Sequence, residues 1–347
     1  MNRPKAGDIT EHYGSYANQP GGFAPDAQNE IYLRRRGEKT AIRKIGMTAG
    51  ICVIAYVALQ NILSLPVVFS PALAQLYKDS NTFFYILTMF MSVATILIPF
   101  IIGGNYLRKK TGADIYYLDA PKDTLLAVFS IPLGLLICLI GNYLTGLFVY
   151  GAEQIGFKLT SPDFSTPTDI TDRILYVLAI AVIPALAEEL SIRGCILQPL
   201  RRYGDMFAIL ASSMIFAVLH GNLIQAPFAF IAGIGLGYIC CITGSLWPGI
   251  IVHFINNAYS CAEEFITADV TDEKLQYIIL NGLQAAFIGA GIVGAIAFFV
   301  ALKGRKPEPS HTVIRGKEKA AAFILNIPMI IALIIMLFIT AQYVSRA

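Results

Sequence analysis

Apolar residues along this chain come in long uninterrupted runs rather than in alternation with polar ones. About 20 such residues are needed to cross the roughly 30 Å hydrocarbon core of a bilayer. Nine runs qualify, at about 46–70, 83–104, 123–150, 173–199, 205–221, 224–243, 246–262, 280–302 and 321–343. The third is long enough to tilt or kink, with Pro132 and Gly134 placed to cause it. The fifth to seventh are tightly joined and read as shorter or broken helices, so the count is eight or nine. The pattern predicts an all-α, polytopic transmembrane helix bundle. Residues 1–44 are polar, end in a basic run and read as a mobile cytoplasmic tail. They lack the apolar stretch of a cleavable signal, so the first span is expected to act as an uncleaved anchor. The bundle proper is placed at 45–302. Residues 303–347 read as a basic cytoplasmic loop, with Pro307 and Pro309, followed by an additional C-terminal span.

Composition agrees with a membrane protein: 56% of the residues are hydrophobic and 14% charged, against about 25% charged in soluble domains. The net charge of +3 says less than its distribution. If the spans alternate from a cytoplasmic N-terminus, 21 Lys and Arg fall inside and 5 outside, the bias that sets orientation. The inside set includes Arg3, Lys5 and Arg108; the outside loops are acidic, with Glu153, Asp163, Asp169 and Asp172 in one and Glu263, Glu264, Asp269, Asp272 and Glu273 in another. Six cysteines sit in or beside apolar runs without a CxxC, which removes a zinc ribbon or disulfide framework and leaves them as packing residues. The absence of an internal repeat counts against an inverted-repeat transporter. Nothing points to a nucleic-acid partner.

One run breaks the pattern. Ala187-Glu188-Glu189-Leu190-Ser191-Ile192-Arg193 lies midway along the fourth span, where each charge costs about 2.5–3.5 kcal/mol to insert. Glu189 and Arg193, four apart, share a helix face and can pair, while Glu188 points about 100° away. Arg193 would then neutralise one carboxylate and leave the other available as a general base. The plainer reading is a structural ion pair that fixes helix packing. Of the four histidines, His12 and His311 lie in polar segments, whereas His220 and His253 lie in spans. Phe216 and His220 share one face, as do His253 and Asn257. A single intramembrane histidine is ordinarily a packed, hydrogen-bonded residue; two on separate helices, with a carboxylate pair on a third, point to a site. Other intramembrane protease signatures (HExxH, GxSxG, or GxGD after a Tyr-Asp pair) are missing. Trp247, with Pro248, has an ordinary anchoring position at an inner interface.

These three ordered motifs, Glu188-Glu189-x-x-x-Arg193, Phe216-x-x-x-His220 and His253-x-x-x-Asn257, resemble those of the CAAX-processing and bacteriocin-processing (CPBP) intramembrane protease family. Thr243-Gly244-Ser245-Leu246-Trp247-Pro248 is similar to what the family carries before its last motif. The resemblance covers about 173–262 well and the flanking spans only by hydropathy. It implies an intramembrane endopeptidase with a catalytic cavity inside the membrane. Glu188 and His220 would activate a water, His253 and Asn257 would stabilise the oxyanion, Arg193 would hold the glutamates and Glu189 would support them. The metal is open: the same residues suit metal-free glutamate chemistry or Zn²⁺, for which Glu188, His220 and His253 are the candidates. Implied partners are the lipid bilayer and a peptide or membrane-protein substrate, CAAX-like or of bacteriocin type, in a bacterial plasma membrane. The competing readings are a proton-coupled membrane transporter using the same groups as a relay, and a non-catalytic membrane immunity or scaffold protein. Helix counting puts His220 near the outer end of its span, so the fifth helix must start deep or tilt, with Arg201 and Arg202 snorkelling. The expectation is that Glu188, His220 and His253 share one cavity in the cytoplasmic half.

Overall fold

The computed structural model describes residues 27–346 except positions 114, 116, 117, 163, 165 and 168. Residues 1–26 of the expected tail, with Arg3, Lys5 and His12, and the loop residue Asp163 lie outside the described residues. Every expected apolar run is helical. They form α1 (Ala27–Phe69), α3 (Asn81–Thr111), α4 (Thr124–Gln154), α5 (Ile170–Tyr203), α6 (Asp205–Leu219), α7 (Ala226–Thr243), α8 (Trp247–Asp269), α9 (Glu273–Leu302) and the bent pair α10 (Gly316–Ile324) and α11 (Ile327–Ala341). A short helix, α2 (Pro71–Asp79), capped by Ser70, joins α1 to α3. The only sheet among the described residues pairs β1 (Phe157–Leu159) antiparallel with β2 (Val344–Arg346).

Six helices are long and apolar enough to cross a bilayer, and α10 with α11, bent by 75°, make a seventh if they count as one span. The chain is an integral membrane protein. The difference from nine has a physical reason. Helix α6 has only 15 residues, and α8 has the length but carries His253, Asn256, Asn257, Glu263 and Glu264.

Helix α1 begins at Ala27, well before the expected first span. Its polar first turns are held by partners on the segment after α9. Arg35 pairs with Glu318 at 2.5 Å, Arg34 donates to the His311 carbonyl at 2.6 Å, and Glu38 accepts from the Val313 and Ile314 N–H groups. The same face holds Arg202 on the Thr111 carbonyl, the Trp247 indole on the Leu118 carbonyl at 2.8 Å, Lys319 on the Tyr203 carbonyl at 2.6 Å, and the Glu308 N–H on Asp205 at 2.9 Å. These are the segments that charge alternation grouped together. The opposite face is joined separately, by Arg173–Asp269 at 2.5 Å, Asn81–Asp172 at 2.9 Å, Thr166–Glu264 at 3.2 Å and the β1–β2 pairing. The start of α1 and the end of α11 therefore lie on opposite faces, as an odd number of crossings requires.

Helix α4 stays one helix through Pro132. Its N-terminus is capped by Asp123, whose carboxyl is held below its usual range by the Leu126 N–H and then by Arg305. Gly294 of α9 packs on the Pro132 ring, and Gly134 lets Val252 of α8 approach. Gly46 and Gly50 of α1 form a seat for the α10–α11 bend. A Cβ on Gly50 would lie 2.5 Å from the Met329 nitrogen. Asn326 fixes the bend itself, donating to the Phe323 carbonyl at 2.7 Å and accepting from the Met329 N–H at 3.1 Å. Such small residues let helix backbones meet closely in a membrane.

The seat predicts a contrast between two glycine substitutions. Gly50→Ala has to displace backbone and should destabilise by about 1–3 kcal/mol. Gly146→Ala meets nothing within 4 Å and should be neutral or stabilising by up to about 1 kcal/mol. Equilibrium unfolding in mixed micelles measures both; equal effects would dismiss the seat.

Candidate active site

The site is built on an irregular stretch of α5. The α-helical turns Ile183–Glu189 lie between two π-helical stretches, Leu178–Val182 and Leu190–Leu197. Pro184 explains part of this, since it has no N–H for the Ile180 carbonyl four residues back. Wide turns of this kind recur at functional sites. Here they set Glu188 and Glu189 at a junction in the helix.

Glu189 and Arg193 are the buried centre, at 1% and 0% exposure. Arg193 Nη1 donates to Glu189 Oε1 at 2.7 Å, and Nη2 reaches the Gly233 carbonyl on α7 at 3.4 Å. The guanidinium carbon lies 4.4 Å from the centre of the Phe216 ring on α6, a contact that gains strength when desolvated. Its Nε finds no hydrogen-bond partner among the described residues. From α8, His253 Nδ1 comes within 3.0 Å of the same Glu189 oxygen. An ionised carboxylate only accepts, so Nδ1 carries the proton toward it. Gly249 permits this approach, because a Cβ there would sit 3.4 Å from Glu189 Oε2. Four helices thus meet at one ion pair.

Glu188 is different. Its side chain is 18% exposed, and its oxygen stands 3.8 Å from His253 Nε2, outside hydrogen-bond range. No Lys or Arg pairs with it among the described residues. The expected pairing of Arg193 with Glu189 is met by the geometry.

His220 and Asn257 are placed less simply. His220 follows the last turn of α6, with Nδ1 2.8 Å from the Phe216 carbonyl. Phe216 lies edge-on to both imidazoles, 5.0 Å from His220 and 5.9 Å from His253. No hydrogen bond or ion pair joins His220 to Glu188 among the described residues. A cavity of about 10 Å³, walled by Phe216, Phe228, His253 and Asn256 among others, has room for about one water. Neither Glu188 nor His220 lines it, so the expected single cavity for the three is not what this pocket forms. The Phe216 ring packs against both imidazoles. Asn257 Nδ2 donates to the Ile180 carbonyl at 3.0 Å, the acceptor that Pro184 leaves without its helical donor. One of its two amide hydrogens is therefore committed to α5.

Some contributors were missed by sequence reasoning. Buried Asn222 fixes the turn after His220 by donating to the His220 carbonyl at 2.9 Å and accepting from the Gln225 N–H at 2.9 Å. The Gly233 carbonyl carries no side-chain signal at all. Pro184, four residues after Ile180, was the legible clue to Asn257. Zinc finds no ready ligand set: no three His, Cys, Asp or Glu side chains are arranged to hold an ion among the described residues. Two of the four imidazole nitrogens face Glu189 and the Phe216 carbonyl.

Residues 170–259 match the family model for type II CAAX prenyl endopeptidase Rce1-like proteins. All seven motif residues, from Glu188 to Asn257, lie inside that segment, so the resemblance is borne out where its motifs stand. No curated protein and no solved structure gives a significant match.

The buried pair predicts unequal costs on α5. Arg193→Ala strands the Glu189 carboxylate and should destabilise by about 3–5 kcal/mol. Arg193→Lys should fall between this and the parent, since an ammonium cannot span the carboxylate, the Gly233 carbonyl and the ring together. Chemical unfolding in detergent ranks them; an alanine variant as stable as the parent would remove the pair from the centre of the fold.

Proposed function

We propose that this chain is an intramembrane endopeptidase that hydrolyses a peptide bond with water activated by Glu188 and His220. One observation carries the reading: the buried guanidinium is spent on Glu189, while Glu188 beside it has no Lys or Arg of its own and faces an imidazole. A carboxylate in that setting suits a general base.

Each group then has a chemical role. The Phe216 carbonyl only accepts, so His220 Nδ1 is the donor and Nε2 is left with a lone pair for a water proton. His253 is the converse. Its Nδ1–H points at the Glu189 carboxylate; in the doubly protonated ring Nε2–H is a donor as well. Water attacks the scissile carbonyl carbon as Glu188 takes its proton. The developing oxyanion accepts from His253 and from the remaining Asn257 amide hydrogen. The tetrahedral species collapses when the departing amine regains the proton. Arg193 and Glu189 hold the geometry. No step is routed through a metal.

The working setting is a core at about 173–262 within the bundle of a bacterial plasma membrane, with the N-terminus cytoplasmic, as the charge bias supports. The substrate class is a CAAX-like or bacteriocin-type peptide, or a membrane protein, entering from the bilayer.

Reconstituted protein with membrane-anchored reporter peptides, prenylated and unmodified, tests the reading. Glu188→Gln and His220→Ala should each lower the rate by about 10²–10⁴-fold with unfolding unchanged. Asn257→Ala should raise the barrier by about 2.7–4 kcal/mol. Chelator-treated protein, shown metal-free by elemental analysis, should keep its rate. Cleavage by Glu188→Gln at the parent rate would sink the proposal.

A further inference from the structure

Helix α1 lies outside the matched segment, yet it brings a polar pair to this site. The Tyr56 hydroxyl donates to the Leu219 carbonyl at 3.4 Å, and Gln60 Nε2, one turn on, donates to that hydroxyl at 3.0 Å. Leu219 ends α6 and precedes His220, and its carbonyl belongs to the last turn, where a helix lacks its own donors. Glutamine is costly in an apolar span. The phenol partner gives it a reason to be there.

We propose that Tyr56, braced by Gln60, is a positioning residue that fixes His220 relative to Glu188. This rests on the protease reading above. Gln60 orients the phenol and polarises its O–H toward the Leu219 carbonyl. Asn222 holds the His220 carbonyl on the other side, so the backbone is tethered at two successive carbonyls. With the Nδ1 bond to Phe216 setting the ring, the remaining freedom of His220 is a shift of the α6 end, which the Tyr56 bond opposes. Displacing a reacting group by about 1 Å costs about 100-fold in rate.

The experiment uses the full chain in proteoliposomes with a membrane-anchored reporter peptide, and reads kcat and KM separately. Tyr56→Phe keeps the ring and should lower kcat by about 10- to 100-fold, with KM and the unfolding midpoint unchanged. Gln60→Leu should act in the same direction by a smaller factor. The double variant should be no worse than Tyr56→Phe, because Gln60 acts through the phenol. Parent kcat in Tyr56→Phe, a loss confined to KM, or losses that multiply in the double variant would each overturn the proposal. Glu188→Gln run alongside separates the two failures. If it is inactive while Tyr56→Phe cuts at the parent rate, only the positioning role falls; if it cuts at the parent rate, the protease reading falls.

Discussion

A guanidinium with 0% exposure needs partners for its charge, and the helices around Arg193 are placed to supply them at both Nη groups and one ring face, with Nε left unpaired among the described residues. Removing an ion from water costs several kcal/mol even after relaxation. The Glu189 carboxylate answers the charge, the Gly233 carbonyl takes one N–H, and the Phe216 ring covers a face. Through Glu189 the demand reaches His253. Helices α5, α6, α7 and α8 are therefore locked at one depth by a single cation. A dispersion-only core of apolar side chains would not fix rotation and register so narrowly. The pair's value to the protein is positional, and the neighbouring Glu188 inherits a fixed setting without sharing the charge.

The second constraint is backbone. Pro184 withholds a donor from the Ile180 carbonyl, and Asn257 supplies one from α8. An orphaned carbonyl inside a membrane is expensive, so this side chain ties two helices while still belonging to the polar cluster. The residue that the family resemblance assigns to an oxyanion thus has a structural duty as well. Fold and chemistry draw on the same amide.

Much of this was legible in the residues. Apolar runs gave the helices, charge bias gave the two faces, and the four-residue spacing of Glu189 and Arg193 gave their bond. What was hidden depends on contacts between distant segments. Tyr56 and Leu219 are 163 positions apart, and only the Gln60-Asn61 interruption of an apolar run hinted at a polar partner there. The edge-on contact of Phe216 with the second imidazole, His253, was equally invisible, because spacing within one helix says nothing of a ring on another. The early start of α1 escaped a hydropathy reading for a different reason: its first turns are charged, and they are held by residues near 311–318.

The glycine seat on α1 has an implication for biosynthesis. Gly46 and Gly50 receive the bend between α10 and α11, while Met336 and Ile339 of α11 lie against Gly221, next to His220. During translation the early helix enters the bilayer with this groove unfilled. Its occupant emerges some 270 residues later, and contacts so distant in sequence form late. The wall beside the imidazole is thus completed only when the final helix arrives, so a nascent chain with α5 to α8 already inserted would hold His220 in an unfinished enclosure.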